Sequence, residues 1–163
     1  MSSSRAKCPA PTAHVLGEVV VEFGILEFFL EAAIWQFLAP QGKARFLMAQ
    51  AITAEMSFDR KVHAFASMSR LRDPAGAACG ALVKDLFAVQ GARNALLHSV
   101  WNSSGTFRTV TRMKASAKAT RGLVRRLYSM RIDDVEAARD RIVAVANHLA
   151  RVMAKIQGEG AAG

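Results

Sequence analysis

The stretch Val15 to Ala39, VLGEVVVEFGILEFFLEAAIWQFLA, decides the fold. Val15, Val19, Leu26, Phe29, Ala33 and Phe37 recur at spacings of three, four and seven, the period of a helix. Val20, Phe23, Leu30 and Ile34 widen this stripe until much of the circumference is apolar. Such a helix lies at the centre of a bundle, or it faces a partner chain as well as its own core. Its length raises the question of a membrane span. It carries Glu18, Glu22, Glu27 and Glu31, and each acid would cost about 2.5 kcal/mol or more inside a bilayer. The reading is therefore a bundle helix over His14 to Leu38, stopped by Pro40-Gln41-Gly42.

Outward from it, a second helix fits Lys43 to Met56, with Phe46, Leu47, Ala51 and Ile52 inward. Ser57 reads as the N-cap of a third, Asp59 lying in its first turn against the helix dipole. That helix runs to about Leu71, with Val62, Phe65, Met68 and Leu71 inside, and Asp73-Pro74-Ala75-Gly76 reads as a turn. A fourth helix fits Cys79 to Val100, its apolar faces including Leu82, Leu86, Val89 and Leu96. Gly91 inside it either admits a close backbone or is simply tolerated. Asn102-Ser103-Ser104-Gly105 is a loop, and Thr106 to Met113 alternates as a strand. Leu123 to Ile132 fits a returning strand or a short helix, and a basic β-hairpin is favoured. Asp133 or Asp134 caps a last helix through Gln157, striped by Val135, Ala138, Ile142, Val145, Leu149, Val152 and Ile156. The expected fold class is all-α: an up-down bundle of about five helices, with a small basic hairpin before the last. One domain spans 14–157, between tails at 1–13 and 158–163.

Cys8 and Cys79 are too few for a disulfide framework, and no apolar signal segment opens the chain, so reduced thiols and a cytoplasmic location are expected. The net charge of +9 has a telling placement. No acid occurs between Asp85 and Asp133, a window holding Arg93, Arg108, Arg112, Lys114, Lys118, Arg121, Arg125, Arg126 and Arg131. Outside it, positive and negative charges balance. This block suits an anionic partner, above all nucleic acid, although a basic solubilising surface has the same composition.

Arg93-Asn94-Ala95-Leu96-Leu97-His98 closes the fourth helix. Asn94 and His98 are four apart and share a face, and the long side chain of Arg93 reaches the same edge. These groups suit metal-free RNA cleavage. Histidine exchanges protons near neutral pH, and arginine meets growing phosphate charge with paired donors. Asparagine either orients the imidazole or donates to phosphate. One chain brings one such histidine, where acid–base cleavage is best served by two. A two-fold dimer would supply both. The same residues have structural uses: His98 suits a helix C-terminus, and Arg93 suits an ion pair with Glu27 or Glu31. No metal-ligand spacing, phosphate loop or nucleophile elbow is present, and no cofactor or metal is expected.

Arg93, Asn94 and His98 on a late helix of a small helical protein resemble the signature of the HEPN superfamily: Arg, a polar residue, then His after a short interval. The outline from Val15 to Ile156 is similar too, but the specific match is those three residues. The resemblance implies a dimeric bundle with a composite, metal-independent endoribonuclease site. Such proteins often act as toxins or in phage defence, some against a neutralising antitoxin, while others are non-catalytic RNA-binding or assembly modules. Arg93, Asn94 and His98 would be catalytic. Arg108, Arg112, Lys114, Lys118, Arg121, Arg125 and Arg126 would hold RNA, with Glu27 and Glu31 in support. No membrane partner is expected.

Overall fold

The computed structural model describes residues 10–38, 43–72, 77–102, 109–118 and 122–160. Residues 1–9 and 161–163, the stops at 39–42 and 73–76, and the loop after Asn102 lie outside them, whereas 10–13 and 158–160, expected as parts of the tails 1–13 and 158–163, are helical and extend α1 and α5. Five helices form the expected bundle: α1 (Ala10–Leu38), α2 (Lys43–Ala54), α3 (Phe58–Arg72), α4 (Ala77–Leu97) and α5 (Ile132–Gly160). Between α4 and α5 runs an antiparallel sheet of β1 (Val100–Asn102), β2 (Thr109–Lys118) and β3 (Gly122–Arg131), in the order β1-β2-β3. No helix among the described residues is long and apolar enough to cross a membrane.

The core forms where the stripes of α1, α3, α4 and α5 meet. Val19, Leu26, Leu30, Val62, Phe65, Leu82, Leu86, Ile142 and Leu149 are each fully shielded from water. Each large side chain buried there contributes about 1.5–3 kcal/mol. Ser57 begins α3 as expected, with Oγ 3.4 Å from the Arg60 amide. α5 begins at Ile132, so Arg131, not the expected Asp133 or Asp134, holds the cap position, two to three residues earlier. The carboxylate of Asp134 reaches back to accept from the Arg131 amide at 2.9 Å, half of a capping box.

Several expectations need correction. α2 does not turn Phe46, Leu47, Ala51 and Ile52 inward; all four are exposed. It packs through Ala49 and Thr53 onto Trp35 of α1, whose Nε1 donates to Thr53 Oγ1 at 2.6 Å. That buried bond fixes which side of α2 faces in. Leu71 is 86% exposed at the end of α3 instead of lying inside. α4 stops at Leu97, and Val100 belongs to a strand. Nothing lies within 4 Å of a β-carbon placed on Gly91, so no backbone approaches it. Glu18 accepts from Arg139 Nη1 at 2.6 Å and ties α1 to α5.

Candidate functional site

The end of α4 is set by what Leu96 and its neighbours must do. Leu96 is buried, and its carbonyl accepts from Trp101 Nε1 at 3.0 Å. That bond folds β1 back against the helix, and Ser99 Oγ closes the turn by donating to the Ala95 carbonyl at 2.6 Å. Trp101 is thereby half-buried against the core, as packing rather than as a platform for bases.

The three motif residues sit on this terminus. Arg93 extends across to α1, where its guanidinium lies 5.2 Å from the Phe23 ring centroid, a cation–π distance. Its Nη1 donates to Asn94 Oδ1 at 3.0 Å, while its Nε is buried without a partner. Asn94 is thus committed through its oxygen to Arg93. Its amide NH2 still suits both roles read for it, donation to the imidazole or to phosphate. His98 follows the last helical residue, with its amide bonded to the Asn94 carbonyl at 3.1 Å and its side chain exposed. The structure therefore joins Arg93 to Asn94 directly and places His98 one turn on, free to meet solvent or a ligand.

Glu27 and Glu31 do not brace Arg93. Both accept from Lys61 Nζ of α3, Glu27 at 2.6 Å. Lys61 is only 4% exposed. Burial alone would lower its pKa. Its hydrogen bonds to the two carboxylates, reinforced by their charge, outweigh this and hold it above the ordinary 10.5. Sequence reading missed this triad. Its signal was two acids four apart on an apolar helix, which require a cation from elsewhere in the chain.

The strand register sorts the basic residues. Arg112 stands opposite both Trp101 and Tyr128, and Lys114 stands opposite Arg126. By the alternation of strands, Arg112, Lys114, Lys118 and Arg126 fall on one face of the ribbon. Arg125, across from Ala115, falls on the other. Arg108 and Arg121 lie outside the described residues. An open groove between α4 and α5, lined by Asp85, Arg141, His148 and Arg151, belongs to neither cluster, and Arg141 already donates to Asp85 at 3.2 Å.

The sequence matches no family model, and no curated protein or solved structure matches the chain.

Proposed function

We propose that this protein is a metal-independent endoribonuclease of the HEPN type, working as a dimer with one copy of the Arg93–Asn94–His98 cluster from each chain. The observation that carries the reading is the end of α4. A guanidinium is held in place by Phe23 and Asn94, and an exposed imidazole follows one turn later. In this reading His98 exchanges the protons of the 2′- and 5′-oxygens, while Arg93 and the Asn94 amide meet the charge on the phosphate. The hairpin follows the site in the chain, and Arg112, Lys114, Lys118 and Arg126 on one of its faces hold the RNA backbone. A toxin or defence role with a neutralising protein partner belongs to the same reading.

The buried, unpartnered Nε of Arg93 favours a second reading. A guanidinium packed this far into the bundle also fits a non-catalytic RNA-binding module, in which it serves mainly to join α4 to α1.

Incubation of purified protein with mixed RNA in the presence of chelator separates the two. The first reading expects fragments with cyclic-phosphate and 5′-hydroxyl ends, lost in His98→Ala while the fold is kept. Binding without cleavage, unaffected by His98→Ala, establishes the second. In both, removing Lys114 and Arg126 together should lower the salt dependence of binding by about two phosphate contacts.

A further inference from the structure

Trp101, Arg112 and Tyr128 stand side by side in one row across β1, β2 and β3. Residues directly opposite one another in a sheet share a face. This face begins inside the protein. Trp101 packs against the bundle core, and so does Met130, two residues along β3 from Tyr128. One step further out the face opens to water, and Tyr128 is 38% exposed. In the next rows Lys114 stands opposite Arg126, and Lys118 opposite Gly122. At about 3.3 Å per residue, the basic positions extend about 20 Å from the Tyr128 row. Among the described residues the other exposed aromatic rings are Phe28 and Phe46, and both make edge-to-face contact with Trp35. Tyr128, the single tyrosine of the chain, is the one that lies in the acid-free basic window.

We infer that Tyr128 is a stacking platform for one unpaired base of an RNA strand whose phosphates follow Arg112, Lys114, Arg126 and Lys118. The inference rests on RNA as the partner in the proposed function, and it holds for the nuclease and for the binding module alike. Cationic side chains meet the phosphates of paired and unpaired RNA equally, so the charge does not choose between them. An aromatic ring does choose. In a duplex each base is covered above and below by its neighbours, and only an unstacked base offers its face to a side chain. An acidic protein segment would meet the same charges but has no flat ring to lay on the tyrosine.

The placement ties this platform to the end of α4. Trp101 Nε1 is bonded to the carbonyl of Leu96, two residues before His98. Tyr128 stands two strands from Trp101, about 10 Å across the sheet. A base held on Tyr128 therefore anchors its strand beside the candidate site.

Fluorescence anisotropy with a short labelled oligoadenylate tests the inference, with His98→Ala protein as the parent so that the RNA stays whole. Adding Tyr128→Ala is expected to weaken binding about tenfold. The slope against salt should not change, because no phosphate contact is lost. Tyr128→Phe keeps the ring and should bind as the parent does. Ser129→Ala, one residue on and so on the opposite face, should change nothing. An abasic strand of the same length provides the decisive arm: without bases, Tyr128→Ala should make no difference. Binding by Tyr128→Ala as tight as the parent, or an equal loss on the abasic strand, overturns the inference. The cleavage assay keeps the two ideas apart. Weakened binding in Tyr128→Ala, from a wild type that never cleaves, sinks the nuclease and leaves the platform standing. Cleavage by the wild type with no effect of Tyr128→Ala on binding does the reverse.

Discussion

α1 and α5 are both 29 residues long and lie against each other, yet their outer faces are opposites. Along α5 the solvent side carries Asp134, Asp140, Arg141, Arg151 and Lys155. Along α1 it carries Gly17, Val20, Val21, Gly24, Ile25 and Phe28. Periodicity shows which side of each helix faces the core. The other side is charged along α5, as suits water, and apolar along α1 from Val20 to Phe28.

The inner faces should behave alike. Leu26→Ala on α1 and Leu149→Ala on α5 each empty a fully buried position, and urea denaturation should show losses of about 3 kcal/mol in both. A much smaller loss for Leu26 would mean that the two helices do not share one core. The next effect belongs to the α1–α3 brace. Lys61→Met should cost about 1–2 kcal/mol, held down because both carboxylates keep partial contact with water. The sign with pH follows from the raised pKa of Lys61. Its contribution is complete below pH 10.5, the ordinary lysine value, and disappears as pH climbs through the higher folded one. Melting curves of wild type and Lys61→Met should therefore converge in strong alkali. A gap that widens there would contradict the brace.

Gly91→Ala in α4 adds a methyl to open space, so it should raise thermal stability by about 1 kcal/mol. Gly24→Ala on the exposed face of α1 has the same freedom and should raise stability by a similar amount. The smallest effect is expected at the exposed Asp85–Arg141 pair. Asp85→Asn should stay within about 0.5 kcal/mol by denaturation, since water screens the partners.

The bundle was legible because α1, α3, α4 and α5 repeat their core residues at helical spacing; Val19, Leu26, Phe65, Leu86 and Leu149 could be placed from sequence. α2 was not, because apolar residues surround it and periodicity cannot choose a side. A hydrogen bond between Trp35 and Thr53, far apart in the chain, made that choice. β1 is too short for a pattern and exists because β2 pairs with it. Lys61 reads as a surface charge until α1 and α3 meet. At the candidate site, spacing put Asn94 and His98 on one face with Arg93 reaching the same edge, whereas the structure bonds Arg93 to Asn94 and sets His98 one turn on. Spacing could not show that Arg93 points at Phe23, since that direction depends on helix packing.

One helix end holds half of the groups that the proposed chemistry needs, and this is the claim most worth attacking. Cleavage of mixed RNA in chelator should be followed while the protein is diluted through the range in which sedimentation shows the dimer dissociating. The account predicts a rate per chain that falls in proportion to the dimer remaining. A rate per chain that stays constant as the dimer disappears, or no cleavage at any dilution, would contradict it.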